Sequence, residues 1–99
     1  MLSASQIQNI LSEYFSDKPV LRAYLFGSYA RGEADEKSDI DVLVELDYGQ
    51  KGSIWGAYVS MMDELELKLG KKVDLVSIDG LSKYVARQVH HDKVMVYER

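Results

Sequence analysis

Residues 38–46, Ser-Asp-Ile-Asp-Val-Leu-Val-Glu-Leu, alternate in a way that reads as one β-strand with two unlike faces. Ile40, Val42 and Val44 fall on one side, and Asp39, Asp41, Leu43 and Glu45 on the other. The first side calls for an apolar layer to pack against. The second carries acids into an otherwise apolar strand, where unpaired charge is costly. Any fold of this chain must therefore cover one face of a sheet and find a use for carboxylates on the other.

The neighbouring segments supply the covering layer. Ser3 to Ser16 reads as a helix, because Ile7, Ile10, Leu11, Tyr14 and Phe15 share one face. Ser3 and Gln6 match a capping box and Pro19 marks the stop. Val20 to Phe26 reads as a strand ending at Gly27, after which Ser28 is placed to cap a short helical turn, Tyr29 to Gly32. Beyond the strand Ser38 to Leu46 comes a loop, Asp47 to Gly52, read either as a flap over substrate or as ordinary surface. Ser53 to Leu69 is the longest helix, with Ile54, Tyr58, Met61, Met62, Leu65 and Leu69 as its stripe and Gly70 at its end. Val73 to Ile78 is a third strand, Leu81 to Val89 a short helix and Val94 to Tyr97 a fourth strand. Strands alternating with helices on short links predict an α/β layered fold with a sheet of about four strands. The pattern leaves open whether that sheet is parallel, antiparallel or mixed.

At 99 residues the chain suits one domain, residues 1–99, with one modest core. It contains no cysteine, so disulfides and thiolate metal sites are excluded and packing alone must hold the fold. No run of 18 apolar residues occurs, so no membrane span is expected, and residues 1–12 lack the pattern of a signal peptide. A cytoplasmic location follows as the default. The formal charge is −4, from 16 acidic and 12 basic residues, and Lys71-Lys72 is the only adjacent basic pair. That balance argues against long DNA or RNA as a ligand, while leaving a single nucleotide open.

Three features carry chemistry. Asp39 and Asp41, two apart on the expected strand, would point to one side about 7 Å from each other along the backbone. Two acids so spaced suit a pair of divalent ions, and all-oxygen ligation favours magnesium or manganese over zinc. The turn at Gly27-Ser28 lets backbone approach a ligand closely, and the helical turn after it offers free N–H groups to phosphate oxygens. Ser28 can add its hydroxyl; Arg31 and Lys37 can add charge, although Lys37 suits a solvated surface equally. Asp74, between Val73 and Leu75, faces away from the core and could ligate metal or accept a proton. Its alternative is an edge-strand acid or an ion pair with a helix. His90 and His91, being adjacent, read as helix-end residues rather than ligands, and Trp55 and Tyr58 as core or partner-facing. No GxxxxGK[ST] pattern occurs, which excludes a P-loop.

The run GSYARG, then EADEK, then SDIDVLV closely resembles the minimal nucleotidyltransferase (MNT) family of the DNA polymerase β-like superfamily. That family's motif is Gly-Ser, ten residues, then Asp-x-Asp, matched here by Gly27-Ser28, residues 29–38, and Asp39-Ile40-Asp41. The resemblance covers nearly the whole chain and shows no departure from the motif. It implies a mixed sheet flanked by helices, with ATP as substrate and magnesium, two ions, as cofactor. It implies Asp39, Asp41 and Asp74 as catalytic metal ligands, with Gly27 and Ser28 at the triphosphate. Members often act as antitoxins beside an all-helical HEPN toxin, some by transferring AMP to a toxin tyrosine. The expected activity is thus AMP transfer to a hydroxyl of a partner protein. The rival expectation is a non-catalytic nucleotide-binding module that neutralises its partner by covering it. Base preference, acceptor and oligomeric state are not fixed by these residues.

Overall fold

Ser3 does begin the first helix. Its Oγ accepts from the Gln6 N–H at 3.1 Å, and Gln6 Oε1 accepts from the Ser3 N–H at 2.8 Å. In the computed structural model, which describes residues 2–49, 52–80 and 83–99, helix α1 spans Ala4–Phe15. It is followed by β1 (Val20–Phe26), α2 (Ser28–Arg31), β2 (Ile40–Leu46), α3 (Ile54–Leu69), β3 (Val73–Ser77), a 3₁₀ turn at Ile78–Gly80, α4 (Lys83–Asp92) and β4 (Val94–Glu98). Gln50, Lys51, Leu81 and Ser82 lie outside the described residues, so part of the expected loop and the expected start of the last helix fall there.

The sheet is mixed, in the order β3-β2-β1-β4. β1 pairs antiparallel with both β2 and β4, and β2 pairs parallel with β3. The parallel pair needs a crossover, which α3 supplies.

One face of this sheet carries the main core. Ile40, Val42 and Val44 are completely buried there, packed with Ala23, Leu25, Val73 and Leu75 beneath α1 and α3. Ile7, Leu11 and Phe15 from α1, and Met61, Leu65 and Leu69 from α3, close that layer. Ser53 caps α3 by accepting from the Gly56 N–H, and the Gly70 N–H ends it on the Glu66 carbonyl at 2.9 Å. The opposite face is covered only in part: Val89 of α4 packs with Tyr24 and Leu43. Asp41 and Asp74 belong to this thinner side. The alternation of β2 therefore does two jobs. A slip of one residue would bury Asp41 and expose Val42, so the core face also fixes where the acid stands.

β3 is an edge strand, and α3 reaches over to its free side. The Val73 N–H donates to Glu66 Oε2 at 3.2 Å, and the Tyr58 hydroxyl donates to the Leu75 carbonyl. Tyr58 is half-buried in this role, whereas Trp55, one turn earlier on α3, is 62% exposed.

Candidate active site

The strand β1 ends at Gly27, whose backbone lies at φ 73°, ψ −153°, a region that only glycine adopts freely. Its lack of a side chain matters as much as its dihedrals. A Cβ there would stand 2.1 Å from Asp41 Oδ2 and 3.0 Å from Asp41 Cγ. The Asp41 carboxylate therefore occupies the space a side chain at position 27 would fill. Because the chain turns at Gly27, the helix begins at once and Gly27 is its N-cap, with no side-chain cap bond. This corrects the expectation for Ser28. It is the first helical residue of α2 and lines a cleft instead of capping a helix. α2 is a single turn, so its dipole is small; the Ala30 and Arg31 N–H groups already donate to the Gly27 carbonyl, both at 3.1 Å, so what it offers are the N–H groups of Ser28 and Tyr29, which precede the first intrahelical bond.

Asp39 also departs from expectation. β2 starts at Ile40, whose N–H opens the ladder on the Lys72 carbonyl at 3.0 Å, and the last β1–β2 pair is Phe26 with Asp41. The turn at Gly27 leaves Asp39 without a strand partner, while the preceding residues are tied into a tight turn in which the Asp35 N–H donates to Ser38 Oγ and the Lys37 N–H to Asp35 Oδ1. Asp39 is thus an exposed residue just ahead of the strand, not an in-strand neighbour of Asp41. The third strand likewise ends one residue early, at Ser77, and Ile78 enters the 3₁₀ turn.

Asp74 stands where the alternation of β3 put it, exposed between buried Val73 and Leu75. Its cross-strand partner in the parallel register is Asp41. Like charges directly opposite each other on a sheet are destabilising. The consequence is visible on Asp41: its pKa is raised from 3.8 to about 6, first by burial, then by the carboxylates of Asp74 and Asp39, with Arg31 opposing. Two acids, Asp74 and Asp39, thus act electrostatically on Asp41. Among the described residues no three acidic or histidine side chains already close into a cation cage.

A cleft of about 350 Å³ lies above this point, lined by Phe26, Gly27, Ser28, Arg31, Asp41, Val89 and Asp92. Gly27, Ser28, Arg31 and Asp41 of the expected site therefore share one cavity; Asp74 is register-paired with Asp41, and neither Asp74 nor Asp39 lines the cleft itself. Arg31 Nε donates to Glu33 Oε2 and Nη1 to Asp92 Oδ2, both at 3.1 Å. Asp92 was not legible as a site residue. Its one signal is chemical: an acid at the C-terminal end of a helix, where the dipole disfavours negative charge. His90 and His91 fall in the last turn of α4, as expected, and the His90 ring nitrogen Nδ1 lies 2.7 Å from Lys93 Nζ. A larger groove between α1 and α3, lined by Tyr14, Lys18, Glu64 and Lys68, lies on the core-layer side and holds none of the expected site residues.

The donor set around Asp41 fits a hard divalent cation: every candidate ligand is a carboxylate oxygen, and a cation would offset both the burial and the like-charge repulsion that raise the Asp41 pKa. The free amides at Gly27-Ser28 and the Arg31 guanidinium fit phosphate oxygens.

Comparison with known proteins bears on this geometry. The sequence matches the polymerase beta nucleotidyltransferase family over residues 5–99. The protein adenylyltransferase MntA of Thermococcus cleftensis is 35% identical over 100 residues, covering 97% of this chain and 98% of that protein. A solved structure described provisionally as a minimal nucleotidyltransferase superposes with a TM-score of 0.75 at 30% identity, covering 94% of this chain and 95% of that one. The MNT antitoxin complexed with the tri-AMPylated HEPN toxin of Shewanella oneidensis shares the fold, with a TM-score of 0.70 at 22% identity over 97% of this chain and 73% of that one.

Proposed function

Because the chain belongs to the polymerase β-type nucleotidyltransferase family, a family of nucleotidyl-transferring enzymes, we propose that it transfers AMP from ATP to a hydroxyl of a partner protein. The observation that carries this reading is the nest of Asp41 against Gly27, register-paired with Asp74 beneath a cleft open to a nucleotide. In this reading Gly27 and Ser28 receive the triphosphate through backbone N–H groups, Ser28 adds its hydroxyl, and Arg31 neutralises phosphate charge. Asp39, Asp41 and Asp74 hold magnesium, which when bound supplies positive charge to the phosphoryl oxygens. The acceptor oxygen attacks the α-phosphorus, the bond from that phosphorus to the β-bridging oxygen breaks, and pyrophosphate leaves. The acceptor's proton passes to the carboxylate of Asp74, the most open of the facing pair.

The partner reading rests on two supports. The related MntA is named a protein adenylyltransferase, and the MNT neighbour was solved on an AMPylated HEPN toxin. The net charge of −4, with Lys71-Lys72 as the only adjacent basic pair, also argues against a nucleic-acid template. An all-helical HEPN protein is accordingly the proposed acceptor, and the chain its antitoxin. The test is incubation with α-labelled ATP, magnesium and the all-helical protein of the neighbouring gene. Label should move to a partner hydroxyl, and Asp41→Asn should lower transfer at least about 100-fold. Equal labelling by Asp39→Asn/Asp41→Asn would sink the proposal. Protection of cells by that same inactive variant would favour neutralisation by binding.

A further inference from the structure

The two walls of the nucleotide cleft belong to different parts of the chain. Arg31 stands at the end of α2 on one wall, and Asp92 at the end of α4 on the other. They are joined by the ion pair from Arg31 Nη1 to Asp92 Oδ2 at 3.1 Å, which spans 61 positions in sequence. Nothing in the local structure of α4 accounts for an acid at that position. The C-terminal end of a helix already carries partial negative charge, so a carboxylate there costs stability instead of adding it. Lys93, the next residue, lies over the ring of Tyr24 and against His90 rather than against Asp92. Among the described residues, the partner of Asp92 is Arg31.

We propose that Asp92 is a positioning residue: it holds the Arg31 guanidinium across the cleft so that Nη2 is the part left to meet the nucleotide's phosphates. This deepens the reading of the cleft as a nucleotide site and rests on it. A guanidinium has five N–H donors in a fixed fork. Here Nε is committed to Glu33 and Nη1 to Asp92, and among the described residues no carboxylate takes Nη2. Two anchors on different nitrogens fix the plane of the fork, so the two N–H groups of Nη2 have one orientation. With Glu33 alone, the side chain could pivot about its Nε contact. Asp92 thereby makes α4, which covers the sheet through Val89, part of the triphosphate site without touching the triphosphate.

The experiment is calorimetric titration of the full chain with ATP in excess magnesium, comparing wild type, Asp92→Asn, Asp92→Glu, Arg31→Met and the double variant Arg31→Met/Asp92→Asn. The pair is part-exposed, at 42% and 23% of the side chains, so Asp92→Asn should weaken binding about three- to fivefold. Asp92→Glu should restore most of it. The double variant should bind no more weakly than Arg31→Met alone, since Asp92 has nothing left to position. Losses that multiply in the double variant would mean that Asp92 acts on the fold or the site independently, and would overturn the proposal. So would Asp92→Asn binding as tightly as wild type. A wild-type chain that takes up no ATP would instead refute the nucleotide site itself, and this inference with it. Thermal midpoints of all five proteins, measured without ligand, separate unfolding from lost positioning.

Discussion

Asp41 is held at a cost, and removing its charge should make the free protein more stable. A pKa raised from 3.8 to about 6 corresponds to about 3 kcal/mol of unfavourable interaction once the group is ionised. The carboxyl is only partly buried and faces an open cleft, so solvent screens it; roughly 1–2 kcal/mol should survive. The folded state binds this proton more tightly than the unfolded state does. Below about pH 4 both states are protonated and the penalty is absent. Between about pH 4 and pH 6 the unfolded chain ionises first, stability falls as pH rises, and above pH 6 the loss is complete. Asp41→Asn, nearly isosteric and uncharged, should therefore match wild type near pH 4 and exceed it at pH 7. The expected gain is about 5–10 °C in thermal midpoint for a domain of this size. The assay is thermal denaturation across pH 4–8 in chelator, repeated with magnesium, which should raise the wild-type midpoint far more than that of the variant. A variant that is less stable than wild type at pH 7, or a difference that does not change with pH, would refute the reasoning.

Gly27→Ala should be among the most damaging single changes, because the added methyl meets Asp41 Oδ2 and the backbone at φ 73°, ψ −153° disfavours any side chain. A loss of about 1–3 kcal/mol is expected by denaturant titration, with magnesium-dependent stabilisation lost in parallel. Tyr29 is buried and its hydroxyl has no partner among the described residues. Tyr29→Phe should thus be neutral or stabilising by up to about 1 kcal/mol in the same titration, since the variant no longer buries an unpaired donor. Tyr14→Phe should act in the opposite direction: its hydroxyl donates to Glu64, joining α1 to α3, and thermal melting should show a loss of about 1 kcal/mol.

Much of this site could be read before any coordinates, because local rules governed it. The capping box at Ser3-Gln6, the alternation of Ile40, Val42 and Val44, and the isolation of Asp74 between Val73 and Leu75 all depend on neighbours in sequence. The Gly27-Ser28 turn was visible too, but its reason was not. That Gly27 must be bare to admit Asp41 is a contact between strand ends, set by the β1–β2 register. The same applies to Asp41 facing Asp74, which depends on β2 and β3 running parallel, a choice the alternation of either strand leaves open. Two-residue spacing predicts a common strand for Asp39 and Asp41, whereas β2 begins at Ile40. The turn at Gly27 removed the pairing partner of Asp39. Asp92 escaped notice since its meaning lies wholly in Arg31, on another helix.

The way α3 lies along β3 limits how this sheet can be enlarged. Strand-by-strand growth needs vacant ladder groups, and at β3 the Val73 N–H and the Leu75 carbonyl are already engaged by Glu66 and Tyr58. A guest strand arriving there would begin by breaking bonds. The outer border at β4, where Val94 and Met95 are exposed, carries no such barrier from α3. Any lengthening of the sheet, by an inserted element or a donated strand, is therefore directed to the border away from Asp74. The acids are left to be approached from above, through the cleft.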